Sequence, residues 1–229
     1  MPSDNRDGRL DPGILEYVTI HSREPNTRSD GSTRVSVGGQ NQQQLTSLLQ
    51  EKFGAERANG VVAQLRGATP GSVLEFYLRS GLTAEEFAQI ESEITVTNAA
   101  VIPGLVNVNT ASAAVLACIP GIGVENANSL VARRQASSSQ LASLAWVAEV
   151  LEATNAIRAG PFLTSRSYQF SADVAAVGHH GRGYQRVKFI LDTSEATPRV
   201  VYRRDLTHLG WALGREVRNQ QELLARNMR

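Results

Sequence analysis

The sequence predicts an α+β fold in which a strand, a helical insertion and an antiparallel meander follow one another. Three observations predict it. Apolar residues recur with period two at residues 14–22 and again from 168 onward, with helical spacing between them. Residues 104–134, GLVNVNTASAAVLACIPGIGVENANSLVARR, hold two helical segments separated by a proline-glycine turn. An earlier segment repeats the pattern of that stretch, as a duplicated unit would.

Residues 1–13 are a polar tail with no apolar signal region. Residues 14–22 read as a strand, with Val18 and Ile20 facing one way and Tyr17 and Thr19 the other. Turn formers, Glu-Pro-Asn and Ser-Asp-Gly, make residues 23–31 a polar loop, so 14–34 is a first strand and its loop. The helical region spans 35–160, with repeats at about 35–95 and 105–160. Val35-Ser36-Val37 falls on Val106-Asn107-Val108 and Leu45 on Leu116, an offset of 71. Gly54-Ala55-Glu56-Arg57-Ala58-Asn59 falls on Gly123-Val124-Glu125-Asn126-Ala127-Asn128 at an offset of 69, which predicts two extra residues between the helices of the first copy. Leu74 and Phe76 align with Leu144 and Trp146 in a third helix of each copy, and Trp146 reads as core. Thr83 and Glu86 have the spacing of a capping box at the start of a helix over 83–93.

In the second copy a short strand over 105–108 leads to Asn109 and Thr110, either of which is suited to cap the next helix. That helix carries Val115, Leu116 and Ile119 on one side. Gly121, Ile122 and Gly123 then fix the interhelical turn, and Ala127, Leu130 and Val131 give the second helix its apolar face. After Gly160-Pro161 the period changes to two. Tyr168, Phe170, Ala172, Val174 and Ala176 open a meander over 161–209, with a glycine-rich loop at 178–183 and further strands at 187–191 and 200–202. The tail, 210–229, is polar and basic; from Arg199 to Arg229 seven Arg face three acids.

Composition narrows the function classes. The chain has 229 residues, 41% hydrophobic, with a net charge of +1, so no global field draws it to nucleic acid or anionic lipid. Cys118 is the only cysteine, excludes an intrachain disulfide and is expected as a buried thiol. No run of about 18 apolar residues occurs. His179-His180 sits in a glycine-rich loop, His21 and His208 have no ligand-spaced partners, and Glu85, Glu86, Glu91 and Glu93 read as a solvated helix face. No nucleophile motif or phosphate loop is present, and Gly121-Ile122-Gly123 is no dinucleotide fingerprint, so an enzyme is not expected.

The 104–134 stretch resembles a helix-hairpin-helix unit, which serves both sequence-independent DNA binding and the helical domain of a secretion pseudopilin. For DNA, the amides of Gly121 and Gly123 would meet a phosphate, with Arg133 and Arg134 adding charge. Glu125 and Glu56 oppose this, each placing a carboxylate in the first turn where phosphate would sit. Arg133 and Arg134 lie near the far end of the helix, roughly 15 Å away at about 1.5 Å per residue.

Three segments decide between the two. Tyr17-Val18-Thr19-Ile20-His21-Ser22-Arg23-Glu24-Pro25-Asn26, Val106-Asn107-Val108-Asn109-Thr110-Ala111 and Phe162-Leu163-Thr164-Ser165-Arg166-Ser167-Tyr168-Gln169-Phe170 occur in the order found in type II secretion minor pseudopilin K, the general secretion pathway protein K family, which the chain resembles over roughly 11–209. The resemblance implies a pilin-like antiparallel sheet interrupted by a large helical domain of two helix-hairpin-helix-like repeats. It implies a non-enzymatic subunit at the tip of the pseudopilus, on the periplasmic face of the bacterial inner membrane, assembled with I- and J-type minor pseudopilins. The bulk of the inserted domain would block addition of a further subunit. Structural Ca²⁺ is also implied; Asp30, Asp192 and Glu195 are loop acids, and no spacing names the ligands. The family's prepilin leader and apolar N-terminal helix are missing from these residues, so a trimmed chain or an upstream gene start is expected. The first copy has Gly38-Gly39-Gln40 where the second has Asn109-Thr110-Ala111, so its cap is expected to be weaker and its role structural.

Overall fold

Short strands and short helices alternate because turn formers interrupt nearly every apolar run. The computed structural model describes residue 14 and residues 17–38, 42–136, 141–178, 183–195 and 197–210. The chain forms two units, Met1–Ser167 and Tyr168–Arg229.

In the first unit, β1 (Arg23–Pro25) pairs antiparallel with β4 (Val101–Pro103). The chain between them starts and ends on neighbouring strands, β2 (Val35–Ser36) and β3 (Ile94–Thr95), which pair in parallel. Four helices lie between these strands: α1 (Gln42–Phe53), α2 (Ala55–Gln64), α3 (Val73–Ser80) and α4 (Ala84–Ile90). The following segment is closed in the same way by β5 (Val106–Asn107) and β6 (Leu163–Thr164), again parallel. It contains α5 (Ala113–Ala117), α6 (Gly123–Ala136), a 3₁₀ turn at Leu144–Trp146, α7 (Val147–Val150) and α8 (Ala153–Ala159).

Local chemistry sets these boundaries. Ser72 accepts the Glu75 amide hydrogen at 3.0 Å to start α3, and Gly81, at φ 65°, ends it in the left-handed conformation. The predicted capping box is present at α4: the Thr83 hydroxyl accepts from the Glu86 amide, and the Thr83 amide donates to the Glu86 carboxylate. One continuous core receives the apolar faces of both segments, with Leu49, Leu74, Phe76, Phe87, Ile94, Leu116, Leu130 and Trp146 almost fully shielded from solvent.

The two segments meet at sites 69 residues apart in sequence. Glu91, just after α4, takes the amide hydrogen of Leu144 at the start of the 3₁₀ turn. Gly160, just after α8, lies against Ser72 at the start of α3, where an added Cβ would come within 2.2 Å of the serine hydroxyl. Glycine at 160 and a long acidic side chain at 91 therefore fill corresponding places differently.

In the second unit, β7 (Gln169–Val177), β8 (Tyr184–Asp192) and β9 (Arg199–Asp205) form an antiparallel sheet in that order. Phe170, Ala172 and Val174 pair with Leu191, Phe189 and Val187, so the alternation of the sequence becomes one apolar face. On the opposite face Arg186 makes two hydrogen bonds to the Asp173 carboxylate. The meander matches the expected strands, lengthened at their ends.

Five expectations need correction. Residues 14–22 form no strand among those described; Ile20 is 95% exposed and pairing begins only at Arg23. Strand β1 then pairs with β4 within the first unit, where a polar loop was expected, because Asn26 anchors the chain to carbonyls of Thr97 and Ala99 at 2.9 and 2.8 Å. The two extra residues of the first copy lie within α1, which runs unbroken to Phe53 and joins α2 through Gly54 alone. The second copy has Pro120 where the first has Leu49, and a ring without an N–H stops α5 early. Cys118 is exposed rather than buried: Leu116 in α5 and Ile119 just after it face the core, and the thiol donates to the Ala114 carbonyl.

The fifth correction concerns the cap of α5. It is Ser112, whose hydroxyl accepts from the Val115 amide at 3.3 Å, and neither Asn109 nor Thr110 caps. The amides of Thr110 and Ala111 turn back to the Asn107 carbonyl, so the helix cannot begin before Ser112. Residues 1–13 and 211–229, Gly39-Gln40 and His179-His180 lie outside the described residues. Ser112→Ala should cost about 1 kcal/mol of stability in urea unfolding, while Thr110→Ala should stay within about 0.5 kcal/mol; equal losses would return the cap to Thr110.

Candidate functional site

The hairpin between α5 and α6 is built on two left-handed glycines, Gly121 at φ 87° and Gly123 at φ 69°. Ile122 between them is 4% exposed, and its amide donates to the Ile119 carbonyl at 3.1 Å. The two glycines face different surroundings. A Cβ on Gly121 would lie 2.6 Å from the Asn155 carbonyl oxygen and 2.9 Å from the Arg158 Cβ, whereas Gly123 has nothing within 4 Å. Gly121 thus allows α8 to close on the turn, and Gly123 only reverses the backbone.

Asn109 has a different role from the expected one. Its amide nitrogen donates to the carbonyls of Leu141 and Ser165 at 2.9 and 3.0 Å, and its oxygen accepts the Trp146 indole N–H at 3.2 Å. It therefore positions the indole and ties the start of the segment to its end. Thr110 lies on the exposed turn beside it. The cations proposed for DNA are already engaged: Arg133 pairs with Glu149 at 2.8 Å, and Arg134 donates to the Val108 carbonyl at 2.8 Å.

A second group of side chains, found only in the structure, lies where β1 meets the two parallel pairs. The Glu24 carboxylate accepts from Arg34 at 2.6 Å and from the Thr164 hydroxyl at 2.7 Å, with all three residues more than nine-tenths buried. Beside it, Glu91 is 7% exposed. Both Glu91 oxygens face the Leu144 amide at 3.2 Å, and Oε1 also accepts from the Ser165 hydroxyl at 3.0 Å. Glu91 was expected on a solvated helix face with Glu85, Glu86 and Glu93. However, α4 ends at Ile90 and a 3₁₀ turn, Glu91–Glu93, rotates Glu91 inward while Glu93 pairs with Lys52 at 2.7 Å.

Burial separates the titration of these acids. Glu86 is held down to about 2 by two hydrogen bonds from Arg57. Glu91 is pushed up to about 7 by loss of solvent, against weaker lowering by the Ser165 hydroxyl, Arg166 and the Leu144 amide. The three acids considered for Ca²⁺ each have hydrogen-bond or ion-pair partners nearby in sequence or on the neighbouring strand. Asp30 accepts from Ser32, Asp192 from Gln169 and Ser194, and Glu195 pairs with Arg199. Among the described residues no three His, Cys, Asp or Glu side chains converge to hold a metal.

Gly121→Ala should destabilise by about 3 kcal/mol, combining left-handed strain with overpacking, and Gly123→Ala by about 1 kcal/mol from strain alone. Equal costs in urea unfolding would show that α8 does not rest on the turn. Because the folded pKa of Glu91 lies above its unfolded value, its contribution to stability is complete below about pH 4.5 and is lost as pH rises through about 7. The native protein should lose about 2 to 3 kcal/mol between pH 5 and pH 8 from this residue, and Glu91→Gln should flatten that part of the profile. An unchanged profile in the variant would mean that the carboxyl is solvated.

Residues 106–160, which run from the start of β5 through α8, match the family model of type II secretion system (T2SS) protein K. No curated protein and no solved structure matches the chain. Among the described residues no helix is long and apolar enough to cross a membrane. The match covers most of the segment closed by β5 and β6, so this part of the chain is similar to type II secretion system protein K.

Proposed function

We propose that this protein is a minor pseudopilin of K type, a non-enzymatic tip subunit of the type II secretion pseudopilus. It acts on the periplasmic side of the inner membrane in a complex with I- and J-type minor pseudopilins. The observation that carries this reading is the protein K match over 106–160. The architecture of that segment is consistent with structural work: its buried polar atoms are spent on holding β5, β6 and the Trp146 turn together. Asn109, Gly121, Ile122 and Gly123 then maintain the shape of a helical domain that projects outward and blocks further growth of the fibre. The two segments closed by parallel pairs are read as duplicated helix-hairpin-helix-like repeats, in keeping with their shared element order.

DNA binding is the weaker reading. Glu125 stands in the first turn of α6, and Arg133 and Arg134 are held by partners within the domain. The deciding measurement is size-exclusion chromatography with light scattering on the protein mixed with the periplasmic domains of its I and J partners. A ternary complex that disappears when any component is omitted is expected. Failure to associate at tens of micromolar, together with salt-sensitive binding to a short duplex, would replace the pseudopilin reading with the DNA one.

A further inference from the structure

The first unit contains a cavity of about 310 Å³ beside the Glu24–Arg34 pair, within the size range of small-ligand sites. Its walls are largely apolar, built by Val73, Ile94, Val96, Val101, Leu144 and Leu163. Four charged groups line it: Glu24 from β1, Arg34 before β2, Glu91 after α4 and Arg166 after β6. Glu24 and Arg34 neutralise each other at 2.6 Å. Glu91 is different, because its hydrogen-bond donors, the Leu144 amide and the Ser165 hydroxyl, are both neutral. Arg166 acts on it through space without a hydrogen bond. A shielded carboxylate bonded only to neutral donors is stabilised by a cation brought into contact with it.

We propose that this cavity binds a small apolar amine, with its ammonium group on Glu91 and its hydrocarbon body against the walls formed by Val96, Val101 and Leu163. A neutral ligand of the same shape leaves the Glu91 charge uncompensated. An anion meets two carboxylates, one of them without a contact cation. The same ammonium on an apolar stem also occurs as a lysine side chain, so a free amine and a lysine presented by a partner share this chemistry. Binding requires ionised Glu91, whose pKa lies at about 7, and affinity therefore falls about tenfold from pH 8 to pH 6.

The test is calorimetric titration of the full chain with tryptamine, tryptophol and indole-3-acetate, which share one ring and differ in charge. Tryptamine should bind saturably at pH 8, about tenfold tighter than tryptophol, and the preference should vanish in Glu91→Gln. Acetyl-Val-Lys-Val-amide separates the two sources. Tighter Glu91-dependent binding of the peptide assigns the site to a partner's lysine, and tighter binding of tryptamine assigns it to a free amine. Val101→Trp, which narrows the cavity from a part-exposed strand, should also abolish binding and serves if Glu91→Gln does not fold. Equal binding of amine and alcohol, preference for the acid, no saturation at millimolar ligand, or amine preference surviving in Glu91→Gln overturns the proposal.

Discussion

Glu24 joins parts of the chain that are separated by 140 residues, and the rest of the first unit is arranged around that junction. One carboxylate takes hydrogen bonds from Arg34 at the entrance to β2 and from Thr164 at the end of β6. The ordering of β1 therefore depends on both helical segments having closed. Burying an ion pair is costly, and here the cost is offset because each carboxylate oxygen has a short bond to a named donor. Removing any one of the three partners leaves a charge or a hydroxyl unsatisfied in a space that water reaches poorly.

The neighbouring hydrogen bonds extend the same logic. Asn26 clamps the 97–100 loop, Ser22 reaches the Leu105 carbonyl, and Asn109 gathers Leu141, Ser165 and Trp146. All of these polar groups lie near strand ends, where backbone amides and carbonyls lack ladder partners. The strands themselves are only two or three residues long, too short to hold the ends by their own hydrogen bonds. Side chains do the holding, and the apolar core beneath them supplies the driving force.

Much of this was legible in the sequence wherever the signal was local. The capping box at Thr83 and Glu86, the two glycines flanking Ile122, the burial of Trp146 and the alternation of the meander all follow from spacing within a few residues. Signals that depend on distant partners did not follow. Asn109 looks like a helix cap until Leu141 and Ser165 claim its amide, which leaves the cap to Ser112. Residues 14–22 alternate as a strand should, yet Ile20 is exposed and no strand pairs with it among the described residues. Glu91 looks solvated on a helical wheel because the wheel assumes that the helix continues past Ile90. The pairing of Glu24 has no local spacing to announce it, since its partners lie ten and 140 residues away.

The parallel pairs have a further consequence for how such a chain could have arisen. A segment that begins and ends on adjacent strands presents its two termini side by side, as Val35 and Ile94 do, and as Val106 and Leu163 do. Such a block can be spliced into a host at one point with little distortion, because the host's own ends need to part only by the spacing of two strands. The same geometry lets a block be copied in tandem, since the exit of one lies close to the entrance of the next: only ten residues separate the end of β3 from the start of β5. Growth of the protein by whole closed loops, rather than by extension of its sheet, is what this arrangement favours.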